Sequence, residues 1–217
     1  FLKMNKIITL IAVFFTAFAM TLTACGKEDP LEPVPNNPED EIPVIPDKPD
    51  EPDSPDNDSK TLVVYYSHSG NTQTIAGYIK DALGCDIVRI ETVNPYPESY
   101  DEHLAQAREE VAAGYHPELT ARVENIKDYD VVFVGYPIWV ETAAPPMASF
   151  LASHDLTDKT VIPFCTSGTS SAEESYRLIR SLCPNSTVLR GIQIRRGTYD
   201  TAHERVLEWL RNLGMTE

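Results

Sequence analysis

The chain has 217 residues, of which 18 are basic and 33 are acidic, and its formal net charge at pH 7 is −15. This acidic balance argues against a nucleic-acid surface, because phosphate backbones are bound by clustered Lys and Arg. The four Cys residues are widely spaced and include no C-x-x-C pair, so neither a metal site nor a redox pair is predicted.

The beginning of the chain has the pattern of a targeting segment. An uncharged stretch, Ile7–Leu22, follows two lysines and is shorter than the roughly 20 residues that span a bilayer. A signal peptide is therefore predicted over residues 1–24. The sequence Leu-Thr-Ala-Cys before and at Cys25 resembles a bacterial lipoprotein box, which predicts lipidation of Cys25 and anchoring at the cell envelope. The alternative is plain secretion with cleavage nearby.

Residues 25–60 differ in composition from the rest of the chain. Residues 26–60 contain nine Pro and 12 acidic residues and no aromatic residue, so they are predicted to form a disordered tether. Four of the 18 basic residues and 12 of the 33 acidic ones precede Lys60, which leaves residues 60–217 with a net charge of −7. Residues 61–217 have the length of one ordinary domain.

The domain is predicted to open with a strand, a polar loop and a helix. Thr61–Tyr66 is rich in Val and Tyr, and apolar residues at helical spacing follow as far as Leu83, with Gly84 as a C-terminal cap. Between them lies the small, polar stretch Ser67–Thr72. Backbone N–H groups and a helix N-terminus that converge there predict a phosphate site. The alternative is an ordinary Ser- and Asn-rich turn with a helix cap.

Strands and helices are predicted to alternate through the rest of the domain, as in a doubly wound α/β fold. The predicted strands are 86–91, 131–135, 161–165 and 187–194, the last interrupted at Arg190 and Gly191. The predicted helices are 100–113, 145–152, 170–182 and 201–213. Capping boxes are predicted at Ser170 with Glu173 and at Thr201 with Glu204. The three Cys residues of the domain are expected to be free thiols, mostly buried.

Two further loops should meet the first at the carboxyl edge of the sheet. The loop after the third strand contains Trp139, which is expected to offer a stacking surface to a flat ring. The loop after the fourth strand, Thr166–Ser171, can lay backbone amides along the edge of a heterocycle. The alternatives are a core plug for Trp139 and a helix cap for Thr166–Ser171.

The motifs S-x-S-G-N-T, G-Y-P-I-W and P-F-C-T-S-G-x-S together resemble those of the flavodoxin superfamily over residues 61–214. The resemblance implies a flavodoxin-like doubly wound five-stranded parallel sheet, order 2-1-3-4-5, in three α/β/α layers. It also implies non-covalent FMN and oxidoreductase chemistry performed by the flavin. Carried over by position, the cofactor-binding residues are Ser67, His68, Ser69, Gly70, Asn71 and Thr72 for the phosphate, and Pro137, Ile138, Trp139, Val140, Thr166, Ser167 and Gly168 for the ring.

Three features depart from or extend this pattern. Many flavodoxins have Gly after the loop aromatic residue, where this chain has Val140, and an aromatic residue in the next loop, where this chain has Thr, Ser and Gly. One face of the ring is therefore expected to be open. The connection Val93–Asp128 is long, and the sequence leaves open whether it is a lid or a decorated crossover helix.

Three functions remain open at this point. The first is electron transfer to a redox partner protein at the bacterial cell envelope. The second is an FMN-dependent reductase of small quinones or nitro compounds, so whether the protein is an enzyme is not decided by the sequence. The third is a non-catalytic binding lipoprotein that has lost FMN.

Overall fold

The computed structural model describes residues 59–217, which form a parallel sheet with helices between its strands. The predicted signal peptide, Cys25 and nearly all of the predicted tether lie outside the described residues. The strands are β1 Thr61–Tyr65, β2 Asp86–Arg89, β3 Val131–Trp139, β4 Thr142–Ala143, β5 Thr160–Ser167, β6 Thr187–Val188 and β7 Ile192–Arg195. The helices are α1 Asn71–Leu83, α2 Tyr100–Ala113, α3 Pro145–Ser153, α4 Glu173–Leu182 and α5 Ala202–Asn212. Two 3₁₀ segments are Ile126–Asp128 and Arg196–Thr201.

The strands run in the order β2-β1-β3-β5-β6, and every pair along this path is parallel. β7 also pairs in parallel with β5, so β6 and β7 together occupy the position of one fifth strand. The predicted five-stranded order 2-1-3-4-5 is therefore confirmed. The order reverses between β1 and β3, which is where ligands bind in doubly wound sheets.

The edge of the sheet that β6 and β7 form is interrupted opposite Pro163 of β5. β6 pairs with the first two residues of β5, and β7 pairs with β5 again from Phe164 onward. Between these pairings, Pro163 has no N–H to donate to a neighbouring strand. A Cβ at Gly191 would lie 2.4 Å from the carbonyl oxygen of Pro163, so only glycine fits this close approach. The predicted interruption at Arg190 and Gly191 is confirmed.

Helices cover both faces of the sheet, which gives the predicted three layers. Side chains alternate along a strand, so Val63 faces α1 and α5 while Leu62 faces α2, α3 and α4. Ile75 of α1 and Val206 of α5 are fully buried on the first side. Each apolar side chain of this size stabilises the fold by about 1.5–3 kcal/mol when it is buried.

Helix ends agree with the predictions at two glycines and disagree at two capping boxes. Gly84 and Gly114 follow α1 and α2 in the left-handed conformation, which glycine adopts without strain. Helix α4 begins at Glu173, and the backbone N–H of Glu173 donates to Ser171 Oγ at 3.3 Å, so the Ser170 capping box is wrong. Helix α5 follows a 3₁₀ segment and has no side-chain cap at Thr201, so the second box is also wrong.

The three described cysteines are free thiols, as predicted. Cys165 and Cys183 are buried and Cys85 is half-buried. Burial raises the pKa of Cys165 to about 12, which keeps this thiol protonated and unreactive at neutral pH. Among residues 59–217, none of the helices combines the length and the apolar character that crossing a membrane requires.

Candidate functional site

The predicted phosphate loop, Ser67–Thr72, joins the end of β1 to the start of α1. Gly70 is the residue before the helix and has φ 86°, a left-handed conformation that favours glycine. The N–H of Thr74 donates to the Gly70 carbonyl at 3.0 Å, which closes the first helical turn. The loop therefore brings the positive end of α1 to the carboxyl edge of β1, and this end attracts anions.

Ser67 is the residue of this loop that most directly indicates a ligand. Its side chain is only 2% exposed, and its Oγ has no hydrogen-bond partner among the described residues. A buried hydroxyl without a partner costs about 1–3 kcal/mol, and a bound molecule that accepts its hydrogen bond removes this cost. A phosphate oxygen is a fitting acceptor for this hydroxyl.

The other polar residues of the loop differ in what they already contact. Thr72 Oγ1 and Thr166 Oγ1 share a buried hydrogen bond of 2.8 Å, which ties the first loop to the end of β5. Asn71 Nδ2 donates to Ser69 Oγ at 3.0 Å, and both residues are exposed. The structure thus brings the loop after β1 into direct contact with the end of β5, as the strand order requires.

Arg89 is a site residue that sequence reasoning missed. Its Nη2 donates to the Ser67 carbonyl at 3.2 Å, and its Nε lies 3.2 Å from Glu91 Oε1. The motif contains no Arg or Lys, yet the parallel pairing of Tyr65 with Arg89 places this guanidinium beside the loop. The predicted strand pairing was the signal that could have found it.

The predicted ring-binding segment is a strand end and not the loop that the sequence suggested. β3 continues past Gly135 to Trp139 because Thr142–Ala143 pairs antiparallel with its last residues. Trp139 is only 9% exposed, so the expectation of an exposed loop Trp is wrong. Ile138 is buried in the same core cluster, and the carbonyl of Pro137 accepts the N–H of Ala144 at 3.2 Å.

An aromatic cluster surrounds Trp139. Four rings contact it at steep angles, with centroid distances of 4.1 Å to His103, 4.8 Å to Tyr96, 5.5 Å to Tyr66 and 5.9 Å to His68. Edge-to-face contacts of this kind contribute about 0.5–1.5 kcal/mol each beyond the area they bury. The cluster holds the Trp139 ring in one orientation beside the phosphate loop.

Two rings of this cluster come from the long connection after β2. Tyr96 precedes α2 and His103 lies on its first turn, so the connection is a crossover helix that also covers the site. The hydroxyl of Tyr96 donates to Glu110 Oε2, and Gln106 Nε2 donates to the other carboxylate oxygen at 2.8 Å. Burial and the hydrogen bond to Glu110 both raise the pKa of Tyr96, so the phenol stays protonated.

His103 has the second buried polar atom without a partner among the described residues. Its side chain is 7% exposed, and its Nε2 makes no hydrogen bond. The His68 ring lies 4.5 Å away, tilted by 31°. Burial, and then the charge of His68, lowers the pKa of His103, so its imidazole is neutral at neutral pH. This nitrogen is available to a ligand of the site.

A strained turn follows Trp139. Val140 and Glu141 have φ of 47° and 65° and form the two-residue loop between β3 and β4. Positive φ at both positions is typical of a type I′ turn, which normally uses Asn and Gly, whereas a β-branched residue there is a conformational outlier. Glycine at position 140 would relieve this strain.

Gln193 of the edge strand β7 holds the predicted loop Thr166–Ser171 in place. Gln193 Nε2 donates to Ser167 Oγ at 2.8 Å and to the Ser170 carbonyl at 2.6 Å. Thr166 and Ser167 are buried, while a Cβ at Gly168 would meet open space. The loop therefore presents backbone and small side chains at the sheet edge. No group of three or more potential metal ligands occurs within the described part of the chain.

Comparisons with solved structures agree with this geometry. A proposed flavoprotein of Bacteroides eggerthii DSM 20697 is 32% identical, has a TM-score of 0.64, and is matched over 72% of this chain and 98% of its own. A second, from Bacteroides uniformis ATCC 8492, is 26% identical with a TM-score of 0.64, over 70% of this chain and 98% of its own.

A flavoprotein of Lactobacillus acidophilus NCFM, solved in complex with FMN, shares the fold at 19% identity. Its TM-score is 0.58, and the match covers 66% of this chain and 97% of that one. None of the curated proteins matches this chain. Residues 60–213 match the family model for flavodoxin, and the chain therefore belongs to the flavodoxin family.

Proposed function

We propose that this protein binds FMN and performs electron transfer or related oxidoreductase chemistry at the bacterial cell envelope. The observation that carries the proposal is the buried hydroxyl of Ser67 at the positive end of α1, which has no hydrogen-bond partner among residues 59–217. When bound, FMN supplies a ring that accepts and donates electrons reversibly. The chain supplies binding, orientation and shielding from water.

The residues present fit the phosphate of FMN. Ser67 offers a free hydroxyl, Ser69 offers an exposed one, and the first turn of α1 offers backbone N–H groups. Arg89 adds a guanidinium that already contacts the loop backbone. Thr72 contributes through its link to Thr166, which fixes the distance between the phosphate loop and the end of β5.

The residues at the ends of β3 and β5 fit the ring. Trp139 and Val140 come from one side, and Thr166, Ser167 and Gly168 come from the other, as the strand order places them. The aromatic cluster limits water around Trp139, and Gly168 leaves room for a flat ligand. The turn at Val140, which is 37% exposed, remains accessible to a redox partner.

A second candidate function is an FMN-dependent reductase of small quinones or nitro compounds. The free Nε2 of His103 favours it, because a neutral imidazole beside the ring site can donate or accept a hydrogen bond with a small polar substrate. An electron carrier that meets only a partner protein has no need for such a buried group. Turnover of small acceptors by the purified protein separates the two functions.

The location at the envelope rests on the predicted signal peptide and lipidation of Cys25. Labelling of the full chain with a palmitate analogue in a bacterial host, with Cys25→Ser as the control, tests the anchor. Label on the wild type alone supports the proposal, and equal label on both variants or on neither contradicts it.

The cofactor is tested by the colour of the purified protein and by titration with FMN. Ser67→Ala should weaken FMN binding by about 1.5–3 kcal/mol, or roughly 10- to 150-fold, the range for hydrogen bonds to a charged group. Ser181→Ala is the matched control, because its hydroxyl bonds only its own helix at Leu178. A colourless protein that takes up no FMN would favour the third function, a binding lipoprotein that has lost its cofactor.

The place of the ring is tested by flavin fluorescence. Trp139→Ala should restore emission from the bound flavin or release the cofactor, because an indole in contact with the ring quenches it. Trp209 on α5 is the control, since it packs on Phe133 at a centroid distance of 5.7 Å. A change in Trp209→Ala but not in Trp139→Ala would contradict the assignment of the ring site.

A further inference from the structure

A cavity lies beside the candidate flavin site, between the start of α4 and the edge strand β7. Its volume is about 540 Å³, and its walls include Arg190, Arg195, Arg205, Gln193 and Glu173. A cavity of this size suits a small organic molecule. None of these residues belongs to the motifs that indicated FMN.

The charge of this cavity is opposite to that of the domain. Three of its lining side chains are Arg and one is a carboxylate, Glu173. Among residues 59–217 the ion pairs within 4 Å join other groups, so none of these three guanidinium groups has a carboxylate partner there. The surrounding segment, residues 177–211, holds seven of the 14 basic residues after position 59 and three of the 21 acidic ones.

Two of the three guanidinium groups, those of Arg195 and Arg205, contact neutral partners. Arg205 donates from Nη1 to Thr198 Oγ1 at 2.7 Å and from Nη2 to the Gln193 carbonyl at 3.3 Å. Arg195 Nη2 lies 3.4 Å from Gln193 Oε1. Each guanidinium carries five N–H groups, so these bonds orient the side chains and leave donors for a ligand. A preorganised set of this kind lowers the entropy cost of binding an oxyanion.

The cavity shares a wall with the candidate flavin site. Gln193 lines the cavity and also donates to Ser167 Oγ and to the Ser170 carbonyl, which fixes the loop expected to border the ring. We propose that this cavity binds a small molecule that carries two or more oxyanion groups, phosphate or carboxylate, next to the cofactor. The binding itself does not depend on FMN. Only the placement of this ligand next to the cofactor rests on the proposed function.

The test is calorimetric titration of the full chain with pyrophosphate and, separately, with citrate, at low and high sodium chloride. Arg190→Gln and Arg195→Gln should each weaken binding at least 10-fold, and high salt should weaken it for the wild type. Arg108→Gln removes the same charge from the exposed surface of α2 and should leave binding unchanged. Preference for pyrophosphate or for citrate identifies the oxyanion.

The phosphate loop is a competing site for the same probes, so Ser67→Ala is included. Binding that is weakened by Ser67→Ala and unaffected by the Arg variants would overturn the proposal, because the anion would then sit in the phosphate loop. Absence of binding for both probes would also overturn it. Failure of FMN binding alone leaves the result of this titration intact, so the two proposals fail separately.

Discussion

The phosphate loop and the aromatic cluster around Trp139 lie at the same edge of the sheet but are built in different ways. The loop consists of the consecutive residues Ser67–Thr72 between the end of β1 and the start of α1. The cluster takes its rings from segments that are far apart in the chain: Tyr66 and His68 follow β1, Tyr96 lies in the connection after β2, His103 at the start of α2 and Trp139 at the end of β3.

This difference has an energetic consequence. The loop keeps the hydroxyl of Ser67 buried without a partner, which is a cost that a ligand removes. The cluster packs Trp139 on several sides and stabilises the fold without a ligand. We therefore expect substitution of Ser67 to change chiefly ligand affinity, and substitutions of the tyrosines that pack on Trp139 to change chiefly stability.

The largest effect is expected for Tyr96→Phe. This change removes a donor to the buried carboxylate of Glu110 and should lower the free energy of unfolding by about 1.5–3 kcal/mol, the range for hydrogen bonds to charged groups. Urea denaturation measures it. Tyr100→Phe is the matched control, because Tyr100 is exposed at the start of α2. Equal stability of the two variants would contradict the expectation that the cluster around Trp139 stabilises the fold.

Thr72→Val is a substitution in the loop that should change stability as well as ligand affinity. Thr72 belongs to the loop, yet its hydroxyl is bonded to Thr166, which the substitution leaves buried without this partner. Stability should fall by about 1–3 kcal/mol, and FMN affinity should fall with it. Ser67→Ala should lower affinity and leave the stability of the cofactor-free protein equal or higher. If Thr72→Val changes FMN affinity alone, the hydrogen bond between Thr72 and Thr166 does not contribute to stability.

Val140→Gly should raise stability by about 1 kcal/mol, because glycine adopts the positive φ of this turn without strain. Thermal unfolding of the cofactor-free protein measures the change. Val93→Gly is the matched control, since Val93 is 47% exposed and is not among the residues with positive φ. The control should lose stability through the added freedom of its unfolded chain. Loss of stability in both variants would show that the turn is not strained.

The smallest effect is expected in the pH dependence of stability. The folded-state pKa of His103 lies below the ordinary value of 6.5, chiefly through burial. The unfolded chain therefore binds more protons just below pH 6.5, so the free energy of unfolding falls as the pH drops through this range. His103→Phe should make this fall shallower between pH 7.5 and 5. His154, whose pKa is also lowered by burial, retains part of the slope. An unchanged slope would contradict a buried, neutral His103.

Most of the fold could be predicted because its signals are local. Helix α2 begins and ends at the predicted residues, since apolar spacing and Gly114 mark it within one segment. The phosphate loop was predicted for the same reason. The first residues of α4 and α5 were not, because Ser170 and Thr201 have side chains that suit a helix cap but the helices begin at Glu173 and Ala202.

The sequence by itself determined where most strands and helices lie and that a small polar loop joins β1 to α1, and the resemblance to flavodoxins supplied the order of the strands. Only the tertiary structure decided that Arg89 reaches the loop, that Trp139 is buried, and that His103 and Ser67 are left with unpartnered polar atoms. The physical reason is the range of the interactions. Strand and helix patterns depend on neighbours in the chain, whereas burial and hydrogen-bond satisfaction depend on residues that are distant in sequence and meet only after folding.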